Sequence, residues 1–165
     1  MITLIILLKG EKMKKIIVLL FVIFVGFAFA AKPTTPEVAE AATMGAKYIS
    51  VADAKKLFDG GATFLDTRKP MEVSQSKVKG AIRAYYNEKG GNKNKLANWD
   101  TTADKFQTEN LPADKTATLI TYCNGAKCWK SYKAAVVLTK KLGYTNTYWM
   151  RDGIPAWKKA GNPVE

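Results

Sequence analysis

Histidine is absent from all 165 residues. A Cys–His nucleophile pair, a histidine-ligated zinc ion and c-type haem attachment each need an imidazole, so all three are excluded. Cysteine is scarce too, with Cys123 and Cys128 alone. Two thiols cannot replace the missing imidazoles, and the predicted cofactor and metal content is none. Acidic residues are the minority, 14 against 26 lysines and arginines, for a formal net charge of +12. Such a balance can signal nucleic acid, a membrane surface or anionic small molecules. The lysines are scattered and no basic motif interleaves with aromatics, so they read mostly as solvated surface and no nucleic-acid partner is expected.

A long hydrophobic span is also missing. The longest apolar run, residues 16–30, falls short of the roughly 20 residues a membrane-crossing helix needs. It follows the basic Met13-Lys14-Lys15 and ends in Ala28-Phe29-Ala30, a small-x-small cleavage pattern. Residues 1–30 are therefore predicted to be a signal peptide starting at Met13, with 1–12 an upstream extension. Residues 31–46, rich in Pro, Thr and Ala, read as a linker, and 47–165 as the folded domain. Cleavage removes four lysines and one glutamate, three net positive charges, which lowers +12 to +9. No cysteine follows the apolar run to accept a lipid. The expected location is periplasmic or secreted, without a stable membrane anchor.

What the chain does contain is a strand, a thiol and a helix in immediate succession. The apolar run Leu119-Ile120-Thr121-Tyr122 ends at Cys123, the loop Asn124-Gly125-Ala126-Lys127-Cys128 follows, and a helical pattern starts at Trp129. Free N–H groups at a helix start, with the dipole and nearby cations such as Lys127 and Lys130, favour a thiolate or a bound anion.

Around this segment, strands and helices alternate. Ser50-Val51-Ala52-Asp53 resembles a capping box, with Asp in place of Glu, at the start of a helix over 51–58 that Gly60-Gly61 closes. A buried strand, Ala62-Thr63-Phe64-Leu65, leads to Asp66-Thr67-Arg68 at its carboxyl end, where open α/β sheets gather functional groups. A polar stretch covers 73–79, Gly80-Ala81-Ile82 begins a short strand or turn, and residues 87–94 form a surface loop. A helix is predicted over 102–109 and a strand over 118–122. A second helix is predicted over 129–142 with Ala134, Ala135, Leu138 and Leu142 near one face, and a last strand over 144–149. The fold class is α/β, with a central, mainly parallel sheet flanked by helices.

Three stretches together resemble the rhodanese family. Leu65-Asp66-Thr67-Arg68, followed by Glu72 and Gly80-Ala81-Ile82, is similar to the family's first signature. Tyr122-Cys123 through Ser131 sits where the family carries its six-residue catalytic loop. Asp152-Gly153-Ile154-Pro155-Ala156-Trp157 with Gly161-Asn162-Pro163-Val164 is similar to its closing signature. The resemblance implies a sulfurtransferase: a donor such as thiosulfate loads one sulfur onto Cys123, and a thiol or cyanide acceptor removes it. It also implies a loop of Asn124, Gly125, Ala126, Lys127, Cys128 and Trp129 around the outer sulfur, with Asp66, Arg68 and Glu72 in support. The loop departs from the family in having its glycine at position 125 and a cysteine at 128.

Each of these residues has a plainer reading. Asp66 caps a turn as readily as it orients the loop, and Arg68 and Glu72 four apart could form an ordinary helical ion pair. Trp129 and Trp157 carry enough apolar area to be packing residues. Cys128 reads slightly better as a thiol packed at the helix start than as a resolving thiol, and a bond to Cys123 would close off the nucleophile. The rival functions are a non-catalytic sulfur- or anion-binding module and a periplasmic thiol–disulfide redox protein using Cys123 and Cys128. A phosphatase is disfavoured because Trp129 stands where its loop needs arginine.

Overall fold

Residues 37–89 and 102–165 are described by the computed structural model; the predicted signal peptide, the first part of the linker and most of the 87–94 loop lie outside them. Parallel pairing sets the architecture. Strands β1 (Lys47–Tyr48), β2 (Thr63–Asp66), β3 (Ile82–Arg83), β6 (Leu119–Tyr122) and β7 (Thr147–Met150) form one sheet in the order β1-β7-β6-β2-β3, every neighbouring pair parallel. A parallel sheet needs crossovers, and the crossovers place helices on both faces. All four residues of β6 are accordingly buried.

The two faces have separate cores. Phe64, Ile120, Tyr122 and Met150 meet Ala54, Leu57 and Phe58 of α2 (Val51–Asp59) and Ile154 and Trp157 of α5 (Gly153–Lys159). Trp157 lies 5.0 Å from the Phe64 ring and 5.5 Å from that of Phe58, and its indole N–H donates to the Pro163 carbonyl. On the other face Leu65 and Leu119 pack with Leu138 of α4 (Trp129–Lys140). Burial of each large apolar side chain in these clusters is worth about 1.5–3 kcal/mol.

Local signals fix the helix ends. The Ser50 hydroxyl accepts the Asp53 amide and itself donates to the Asp53 carboxylate, so the reciprocal cap runs through the hydroxyl. Gly61, at φ +87°, turns the chain out of α2 as its sequence position suggests. Helix α3 (Pro70–Gln75) opens within the first signature, with proline in its first turn and the Lys69 amide donating to Glu72 Oε2.

Two expectations are corrected. The stretch predicted as linker contains a helix, α1 (Val38–Thr43), and its Ala41 is fully buried in a cluster with Trp129, Tyr132 and Trp149. Small alanines let this short helix sit close to α4 without the wide apolar stripe that periodicity detects. The helix predicted over 102–109 is instead turns and a strand, β5 (Lys105–Phe106), antiparallel to β4 (Tyr86–Asn87). Phe106 stacks 5.4 Å from Tyr86, whose hydroxyl donates to Asp104. Among the described residues, no helix is long and apolar enough to cross a membrane.

Candidate functional site

The three central strands end level. Asp66, Tyr122 and Met150 share one register, so Thr67, Cys123 and Arg151 emerge together along the carboxyl edge of the sheet. Cys123 is only 1% exposed. The following loop closes through the Cys128 amide donating to the Gly125 carbonyl, and Cys128 is the N-cap residue of α4.

The loop rests on the start of α5. Gly153 has φ +64°, and a Cβ there would stand 2.3 Å from the Cys123 carbonyl oxygen and 2.4 Å from the Gly125 nitrogen. Only glycine permits that approach. The Ile154 amide then donates to the Cys123 carbonyl at 3.0 Å.

Beneath the loop lies a buried polar assembly. The Asp66 carboxylate is fully buried and accepts from the Arg68 amide, from the Arg68 guanidinium (Nη2 to Oδ2, 2.6 Å) and from the Tyr122 hydroxyl (2.6 Å). The Val78 amide donates to that hydroxyl, and Arg68 also donates to the Ser76 carbonyl. Burial, then the Asp66 charge, pushes the Tyr122 phenol well above its ordinary value. Thr67 donates through both its amide and its hydroxyl to the Tyr122 carbonyl. These bonds fix β6 up to the residue before Cys123. Asp66 thus accepts from the Arg68 amide at the turn after β2 and from the hydroxyl of Tyr122, the residue before Cys123. The helical pair expected between Arg68 and Glu72 is replaced: Arg68 pairs with Asp66.

Glu72 reaches the loop instead, accepting from the Asn124 side-chain amide. Its partial burial works against ionisation, but the bonds from Asn124 and the Lys69 amide, with the charges of Lys130 and Arg68, outweigh burial and hold the carboxyl below the usual glutamate value. Lys127 is exposed in the loop. Lys130 is partly buried in the first turn of α4, with its ammonium 5.0 Å over the Tyr85 ring. Burial, reinforced by Lys69 and opposed by Glu72 and Glu88, holds it below the ordinary lysine value. One turn further on, Lys133 and Glu88 form an ion pair at 2.8 Å with the lysine fully buried.

Trp129 points into the core, edge-on to Tyr132 at 6.4 Å and 2% exposed, which is the packing reading of that residue. For Cys128, which the sequence left open between a packed and a resolving thiol, the structure shows the bonded state. Its Cα lies 6.1 Å from that of Cys123 and the two are joined as a disulfide, not held as separate thiols. Sequence reasoning also missed the Tyr122 hydroxyl, which an apolar strand pattern hides, and the contact role of Gly153. Among the described residues, no group of three or more His, Cys, Asp or Glu side chains could hold a metal ion.

The Rhodanese-like domain family matches residues 50–160. The BH2092 protein from Bacillus halodurans, solved by crystallography, is 25% identical, with 75% of this chain and 79% of that one covered and a TM-score of 0.50. The rhodanese-like domain of an Anabaena protein, solved by NMR, is 18% identical over 72% of this chain and 77% of that one, also with a TM-score of 0.50. No curated protein matches the chain.

Proposed function

This chain belongs to the rhodanese-like domain family, and on that premise we propose that it is a sulfurtransferase that carries a sulfane sulfur on Cys123. The observation that supports this reading best is the seating of Cys123. It directly follows the central strand β6, its carbonyl is held by the Ile154 amide, and its loop runs directly into the twelve-residue helix α4. No imidazole exists in the chain to activate the thiol. Activation falls to the helix start and to the cations Lys127 and Lys130, which favour thiolate over thiol.

In the reduced protein, the Cys123 thiolate attacks the sulfane sulfur of a donor such as thiosulfate. The S–S bond of the donor breaks, and sulfite leaves with the bonding pair. A thiolate or cyanide then attacks the outer sulfur of the Cys123 persulfide and departs as a persulfide or thiocyanate, returning the Cys123 thiolate. The low-exposure disulfide is the form that cannot accept a donor, so a reducing step precedes loading. The signal-like residues 1–30 and the disulfide, a bond oxidising compartments favour, support a periplasmic or secreted location.

The disulfide also supports a second reading, a dithiol–disulfide redox protein. Sulfite release from thiosulfate, with reductant maintained and cyanide as acceptor, separates the two. Wild type should turn over and Cys123→Ser, folded by circular dichroism, should fall to background. Full activity in that variant, or none in the reduced wild type, rejects the sulfurtransferase.

A further inference from the structure

We infer that Cys128 is a resolving thiol that discharges the Cys123 persulfide inside the same loop, releasing hydrosulfide and leaving the Cys123–Cys128 disulfide. This rests on the sulfur-transfer reading and adds the fate of the sulfur and the class of the reductant. Three observations carry it. Cys128 pairs with Cys123 within a loop that is closed at the same time by its own amide, which donates to the Gly125 carbonyl while the sulfurs are bonded. Although Cys128 holds the N-cap position of α4, its side chain makes no capping hydrogen bond, so the sulfur serves no helix-end role that competes with pairing. And the bridge spans only five positions of an already hydrogen-bonded loop, so it restrains the unfolded chain less than a bridge closing a long loop.

The connectivity of the disulfide indicates which sulfur is attacked: Cys128 Sγ is bonded to Cys123 Sγ itself, the atom that is the inner sulfur of the persulfide. Attack there forms the Sγ–Sγ bond, breaks the bond to the outer sulfur and expels that atom as hydrosulfide with the electron pair. The two thiols are oxidised by two electrons, and the sulfane sulfur is reduced by the same two. The co-reactant that resets the cycle is an external dithiol. Cys128 is partly exposed while Cys123 is 1% exposed, so the incoming thiolate attacks Cys128 and Cys123 leaves as the thiolate. The second thiol of the reductant then frees Cys128. The net reaction converts a sulfane donor and a dithiol into hydrosulfide and a disulfide.

A single turnover without external thiol tests the step. The reduced protein, freed of its reductant, is mixed with thiosulfate, and sulfite, hydrosulfide and intact mass are followed. Wild type should release one sulfite and one hydrosulfide per chain and lose the mass of two hydrogens, at a rate independent of protein concentration. Cys128→Ser should release the sulfite alone and keep the mass of one added sulfur, which cyanide removes as thiocyanate. A wild type that retains the added sulfur as the variant does, or discharges it at a rate proportional to protein concentration, overturns the inference and leaves the proposed function standing. Absence of sulfite from both proteins overturns the proposed function itself.

Discussion

A methyl group at position 153 has nowhere to go. The atoms it meets are backbone, the Cys123 carbonyl and the Gly125 amide, and neither can rotate away as a side chain would. Gly153→Ala also forces a left-handed φ onto alanine, which costs about 1–2 kcal/mol before any clash. We expect the variant to lose at least about 2 kcal/mol in denaturant unfolding, and thiocyanate formation to fall at least tenfold. Unfolding midpoints matching wild type would show that the loop can lift without consequence. Tyr122→Phe tests the assembly below. It removes one donor from the buried Asp66 carboxylate and orphans the Val78 amide, a loss of about 1–3 kcal/mol. A neutral result would show that water reaches both groups. The strand before Cys123 and the helix after its loop were legible because an apolar run ends there and a helical pattern follows. The Tyr122 hydroxyl was not, because tyrosine inside an apolar run has the same periodicity whether its tip is bonded or idle. Arg68 was misassigned for a related reason: helical spacing offered it Glu72, but helix α3 starts only at Pro70, after Arg68, and the nearer carboxylate is Asp66.

Helix α3 touches the loop after Cys123 through the bond from Asn124 to Glu72. Because the folded carboxyl titrates below its unfolded value, its contribution is present above the ordinary glutamate pKa of about 4.3 and is lost as pH falls through the lower folded value. Glu72→Gln should flatten that limb of the stability curve and should loosen the nucleophile loop at neutral pH. Unfolding midpoints followed down through the acid range check this, and an unchanged acid limb would place the pH dependence elsewhere. The helices and strands that carry the site were legible from their own chemistry: a serine cap and glycine stop for α2, an apolar run for β6, spaced alanines and Leu138 for α4. Helix α1 and strand β5 were not. Ala41 is buried by a partner distant in sequence, and the Phe106 pairing depends on Tyr86, so neither had a local periodic signal.

The chain carries a formal net charge of +12, and under the proposed function an anionic donor would approach through that field. Raising ionic strength from about 0.1 M to about 1 M shortens the screening length from about 10 Å to about 3 Å. The loading rate by thiosulfate should therefore fall several-fold, and Lys127→Met should reduce both the rate at low salt and its salt dependence. Stopped-flow release of sulfite reads both. A rate indifferent to salt would assign donor capture to the backbone amides alone.

The seat of Cys123 on Gly153 also dictates an order of events during synthesis. Strand β6 and both thiols are made well before Gly153, yet the carbonyl of Cys123 finds its donor only when Ile154 exists. Until that residue is added, even a chain that already contains β7 leaves the Cys123 carbonyl without that donor. Pulse alkylation of chains arrested before and after α5 should show the thiols reactive in the shorter chain and protected in the longer. Cys123 is thus among the last parts of the molecule to be organised, and a chain truncated before α5 presents its thiols to any oxidant without the Ile154 amide that holds the start of their loop.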